Sequence, residues 1–120
     1  MALLIYLRKG PTESIDWAKR EIYLDQSFYE LLFRLHENSK LSSPLRQLVS
    51  IGYGEECVIN NKHISAMLVE AASLAQNSFE HPQLEAFLGV LRKAAEGNCD
   101  LAIAGDMYPD LSNRRTTCIL

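Results

Sequence analysis

Residues 82–106 read PQLEAFLGVLRKAAEGNCDLAIAGD, and the fold follows from how this stretch divides. Pro82 suits the first turn of a helix, where its missing N–H costs nothing. Leu84, Phe87, Leu88, Leu91 and Ala95 then repeat at helical spacing and form one apolar stripe. Gly97 is a good residue to stop the helix, and Arg92-Lys93 near its end complement the helix dipole. Beyond the stop, Leu101 and Ile103 alternate with Asp100, Ala102 and Ala104, the period of a strand that ends at Gly105-Asp106. The stretch therefore predicts a helix over 82–96 and a strand over 100–104. The small residues on the second face of that strand would admit a closely packed helix. Gly89 lies inside the helix at a cost of about 1 kcal/mol relative to alanine. Either a neighbour approaches closely there or the glycine is a neutral surface residue.

Upstream, Ile64, Met67, Leu68, Ala71, Leu74 and Ala75 keep a helical period from Lys62 to Gln76, after a cap at Asn60-Asn61. Only a short link separates this helix, 62–76, from 82–96, so the two are expected as an antiparallel pair. Ser43-Pro44 opens a short helix over 44–50 with Leu45, Leu48 and Val49 on its buried face, and Gly52 stops it. Phe28, Leu31, Leu32 and Leu35 make the stripe of a helix near 26–38. Ser27 and Glu30 match a capping box, with Asp25 as a competing cap. Phe33 falls off the stripe, either covering a neighbour or belonging to a contact surface. Ala2–Leu7 is a short apolar run that favours a buried strand, ended by a Gly10-Pro11 turn. Residues 12–24 read as a loop or short helical turn followed by a strand, and Cys57-Val58-Ile59 as a strand edge. The expectation is a single α+β domain over 1–111. Strands 2–7 and 100–104 would share a small sheet, and 112–120 would form a flexible tail.

Composition supports a folded domain: 120 residues with 48% hydrophobic and 22% charged content can bury a core without staples. No apolar run approaches the roughly 20 residues of a membrane-spanning helix. The opening MALLIYLRKG places apolar residues before basic ones, the reverse of a signal peptide, so a cytoplasmic location is expected. Cys57, Cys99 and Cys118 form no CxxC pair and leave an odd count, which suits reduced thiols rather than a disulfide framework. Thr117-Cys118-Ile119-Leu120 is one residue short of a prenylation box. From Glu55 to Leu111 there are nine acids and three bases within a chain of net charge -3. Nucleic-acid binding needs a positive footprint, which this distribution lacks.

Catalytic signals are sparse. Asp106 follows a strand on a glycine, with Asp100 and Asp110 close in sequence, but aspartate at a strand end is also an ordinary turn residue. His36, His63 and His81 are scattered singly, two of them beside helix ends. No HExxH spacing exists, and no serine has a motif partner. Gly52-Tyr53-Gly54 lacks the rest of a phosphate-binding loop. Neither a metal site nor a cofactor site is expected. Trp17, Tyr23, Tyr29, Phe33, Tyr53, Phe79 and Tyr108 do not all fit the core stripes, and aromatic residues outside a core are enriched at protein interfaces.

The order of elements, a strand at 2–7, a capped helix over Asp25–Glu37, two long helices, then Leu101, Ile103 and Gly105-Asp106, resembles small bacterial immunity proteins that neutralise polymorphic or contact-dependent toxins. The resemblance implies a non-catalytic protein, often acidic, that occludes the functional site of a basic toxin domain. From the residues, the acidic loops are the expected contact: Glu55, Glu56, Glu80 and Glu85 with Tyr53 and Phe79. Two other readings remain: a small enzyme with a site near Asp106 or Cys99, and a homodimeric regulatory or assembly subunit.

Overall fold

A computed structural model describes residues 2–37, 43–51, 55–76, 81–106 and 115–119. Strands β1 (Ala2–Arg8) and β4 (Asp100–Asp106) form the centre of the sheet. They pair antiparallel over their whole length, from Ala2 opposite Asp106 to Arg8 opposite Asp100. β2 (Ile22–Leu24) adds antiparallel to β1, and β3 (Glu55–Ile59) adds antiparallel to β4. The fifth strand, β5 (Arg115–Ile119), runs parallel to β3, giving the order β2-β1-β4-β3-β5. The architecture is α+β, and the expected pairing of 2–7 with 100–104 is present.

Two expectations change here. The segment expected as a flexible tail contains β5, which makes β3 an interior strand. Cys57, expected as a reduced thiol, is disulfide-bonded, and the strand register sets Cys118 opposite it. Cys99 is a free, buried cysteine.

Helices α1 (Gln26–Glu37), α2 (Ser43–Ser50), α3 (Ile64–Gln76) and α4 (Leu84–Gly97) supply the main core. Leu3, Ile5, Cys57, Ile59, Leu101 and Ile103 meet Phe28, Leu32, Leu48, Met67, Phe87 and Leu91 there. These strand residues share one parity and hence one face of the sheet. α3 and α4 pack against each other. A 3-10 turn, Asn61–His63, leads into α3, and the Asn60 side chain caps it by accepting from the Lys62 N–H at 3.1 Å.

The opposite sheet face carries Leu4, Tyr6, Val58, Ala102 and Ala104, all buried. No described helix covers it. The alanines instead make room for Trp17, whose ring meets Tyr6 edge-on at 6.4 Å, with Ile15 beside them. Trp17 sits on a 3-10 turn, Trp17–Lys19, capped by Asp16 through the Ala18 N–H. Glu13 closes the preceding loop, accepting from the Tyr6 hydroxyl and from the Lys9 N–H. Those two hydrogen bonds, the tyrosine's first, hold its carboxyl below the usual range. With both faces covered, β1 is apolar along its length, as buried strands are.

α4 ends one residue later than expected. Gly97 is still helical, and Asn98 takes the left-handed position at φ 52°, its N–H bonding the Ala94 and Ala95 carbonyls. Asparagine tolerates that conformation because its short polar side chain can bond locally. A Cβ on Gly89 would meet nothing within 4 Å, so it is a surface glycine.

Candidate functional site

Polar side chains from two segments distant in sequence, Asp25 and Ser27 with His81 and Gln83, converge where α1 begins. The capping contest there is won by Asp25, which accepts from the Phe28 N–H at 3.1 Å. Ser27 makes no capping box. Its hydroxyl lies 2.6 Å from Asp25 Oδ1 and 2.7 Å from His81 Nε2. Glu30 bonds Gln26 instead, at 2.9 Å. His81 precedes α4, and its ring packs edge-on against Phe28 at 5.2 Å. Its side chain is 8% exposed, whereas that of Asp25 is 51% exposed.

Serine, histidine and aspartate within reach of one another raise the question of nucleophilic catalysis, which requires histidine to accept the serine proton. Hydrogen bonding assigns the opposite roles. The Gln83 N–H donates to His81 Nδ1 at 3.0 Å, so Nδ1 carries no proton and the neutral ring is protonated on Nε2. Nε2–H therefore donates to Ser27 Oγ, and the serine proton goes to Asp25. Asp25 is a weak base for it, because the Ser27 hydroxyl and then the Phe28 N–H hold its carboxyl below the usual 3.8. The aspartate also lies on the Nε2 side, 3.8 Å away, rather than behind Nδ1. This arrangement ties the turn before α4 to the start of α1; it does not activate Ser27.

Gln83 completes the tie. Its Nε2 donates to the Tyr23 carbonyl at 2.8 Å, and its Oε1 accepts from the Asp25 N–H at 2.9 Å. A residue on a parallel strand would bond the same two groups, flanking Leu24. The side chain thus covers the two peptide groups on either side of Leu24 at the outer edge of β2. The signals for this cluster were individually visible, since Asp25 was a competing cap and His81 stood beside a helix start. Nothing in the chain's local patterns showed that they meet.

The residues read as a contact surface fare differently. Glu85 is exposed in the first turn of α4, and Glu55 is half-buried at the start of β3. Glu56 is buried, 9% exposed, because alternation along β3 turns it onto the same face as Val58, opposite Ala104. The sequence suggests a loop residue; the structure makes it a strand residue on a covered face. Tyr53, Phe79 and Glu80 lie outside the described residues. Asp100 and Asp106 occupy opposite ends of β4, about 20 Å apart at strand rise. Asp100 bonds Arg8 and the Asn61 N–H. Asp110 lies outside the described residues. Cys99 is buried and points its thiol at the Gly97 carbonyl, 3.7 Å away. Among the described residues, no group of three or more His, Cys, Asp or Glu side chains is placed to hold a metal.

An aromatic ridge runs along the outer side of α1. Tyr29 stacks on Phe33 at 6.2 Å, and Phe33 meets His36 edge-on at 6.4 Å. Tyr29 also donates from its hydroxyl to the Val49 carbonyl, tying α1 to α2. Phe33 is 41% exposed. A shallow groove of about 350 Å³ lies along the ridge, with Glu30, Arg34 and Glu37 around the two rings. Trp17, grouped with these aromatics in the sequence, is instead a core residue. Compared with protein-family models, curated proteins and solved structures, the chain gives no match.

Proposed function

We propose that the protein is a non-catalytic binding protein whose partner is another protein, most specifically an immunity protein that occludes a bacterial toxin. The observation that carries this reading is the aromatic ridge on α1, with Phe33 exposed over a shallow groove. Aromatic side chains ringed by charged ones are the usual composition of an interface anchor. Glu30 and Glu37 outnumber Arg34 around the groove, and Glu55 and Glu85 add acidic surface elsewhere. That distribution favours a basic partner and fast, salt-sensitive association. The polar cluster at Asp25, Ser27 and His81 supports a role without catalysis, because its proton order leaves the serine unactivated.

A cytoplasmic location belongs to this proposal. No described helix is long and apolar enough to cross a membrane. The Cys57 disulfide counts against the location, since cytosolic thiols are kept reduced. Alkylation of the unfolded chain taken directly from cells separates the cases. Cys57 labels without reductant if the location is right and resists labelling if the compartment is oxidising.

The test of function is co-expression with any secreted toxin domain that the neighbouring genes encode. Protection of growth, and a complex that survives gel filtration, are the expected results. Phe33→Glu should abolish both while leaving the thermal midpoint unchanged, because Phe33 lies outside the core. Absence of both complex and protection would overturn the reading. Light scattering should show a monomer; a dimer that Phe33→Glu dissociates would assign the ridge to self-assembly instead.

A further inference from the structure

One end of the sheet holds a second feature that the binding role leaves unused. A cleft of about 440 Å³, within the range of small-molecule sites, opens where β1 and β3 end and β4 begins. Its polar walls come from Arg8, Lys9, Asn60, Asn61, Asn98 and Asp100.

The acceptors in this cleft are largely occupied. Asp100 is its one carboxylate. Oδ2 takes the Arg8 Nη2 hydrogen bond at 3.3 Å, and Oδ1 takes the Asn61 N–H at 3.0 Å. Asn60 Oδ1 is held by the Lys62 N–H, and the Asn98 carbonyl by the Asn61 side-chain amide at 3.0 Å. The remaining groups are chiefly donors. Arg8 engages Asp100 through one nitrogen rather than as a fork, and its Nε is shut off from solvent without a partner. The Lys9 ammonium and the Asn60 side-chain N–H groups make no hydrogen bond among the described residues. Two cations and one carboxylate line the cleft, with the Glu13 carboxylate close enough outside it to feel both cations.

We propose that this cleft binds a small oxyanion, a carboxylate or phosphate group. Arg8 Nη1, which is not spent on Asp100, and the Lys9 ammonium would meet its charge, and Asn60 would donate to it. Guanidinium suits planar or tetrahedral oxyanions because it offers parallel donors. Asp100 fixes the arginine from behind and leaves it short of full neutralisation.

Titration of the intact protein with inorganic phosphate and, separately, succinate tests the proposal. Ionic strength is held constant with chloride, and backbone amide shifts are followed by NMR. The expected result is saturable shifts centred on Lys9, Asn60, Asn61 and Asn98 with at least one of the two anions. Phosphate alone would mark a phosphoryl site, and both would mark a general oxyanion site. Lys9→Gln, an exposed substitution, should weaken the binding about tenfold, the value of one charge-assisted contact. Arg8→Lys keeps the charge beside Asp100 but removes the fork, and should weaken it similarly. Non-saturating shifts spread over all basic surface residues, or equal affinity in Lys9→Gln, would overturn the proposal.

Discussion

Gln83 stands against Tyr23 as a neighbouring strand would, its side-chain amide donating to the tyrosine carbonyl at 2.8 Å while its oxygen accepts from the next N–H but one. An exposed strand edge otherwise offers those groups to other chains. Gln83→Glu keeps the acceptor for Asp25 and loses the donor for Tyr23, setting a carboxylate against a carbonyl. We expect a loss of about 1 kcal/mol in urea denaturation, the worth of one hydrogen bond. Gln83→Met, which loses both bonds without adding charge, should also increase self-association on concentration.

The Asp25 cap should make stability depend on acid. Its folded-state carboxyl lies below the usual 3.8, so its contribution is fully present above that value and is lost as pH falls through the folded-state value. Asp25→Ala should cost about 1 kcal/mol near neutrality, and the gap from the parent should close on acidification. Asp25→Asn, still a good cap, should retain most of the stability at neutral pH and lack the pH dependence specific to this carboxyl. Denaturant midpoints across the acid range measure both.

Ser27 should be chemically inert. A fluorophosphonate probe, which labels serines whose proton passes to a base, is expected to leave Ser27 unmodified by mass spectrometry. A stoichiometric adduct at Ser27 would show that His81 accepts from it, and would reverse the tautomer assigned from the Gln83 N–H.

Gly89→Ala should stabilise the protein by about 0.5–1 kcal/mol, since a methyl group there meets open space on an exposed helix face. A thermal midpoint that falls instead would mean that a partner or an unseen neighbour approaches that position.

What could be read in the chain was whatever a local period encodes. The α4 stripe, the stop near Gly97 and the alternation at Leu101 and Ile103 lie within one stretch, and their elements formed as expected. The shift from Gly97 to Asn98 at the helix end is the usual scale of error, because both residues accept a left-handed backbone. Glu56 departs from its local signal for a different reason. Its charge suggests a loop, but a strand covered on both faces buries whatever falls on its parity. The alanine face of β4 likewise suited a helix as well as a tryptophan, and only the path of residues 9–21 decided between them. Asp25 and His81 are 56 positions apart, and Gln83 lies 60 from Tyr23. No periodicity spans such distances. Phe33 is legible as off its stripe, but its stacking on Tyr29 depends on how α1 sits on α2, which no charge count encodes.

The central pairing of β1 with β4 also bears on when the chain can fold. Arg8 and Asp100 are 92 positions apart, and β2 and β3 each depend on one of these two strands for their place. Emerging from a ribosome, β1 must wait as an exposed apolar segment until nearly the whole described chain has been made. Long-range pairing of this kind slows folding and leaves intermediates open to aggregation. Helices α1 to α4 can form in the interval, but the sheet they cover closes only when residues 100–106 arrive. A chain cut after Gly97 would retain those helical sequences and lack the strand that joins both halves of the sheet. It should be recovered as an insoluble or chaperone-bound product rather than as a smaller folded domain.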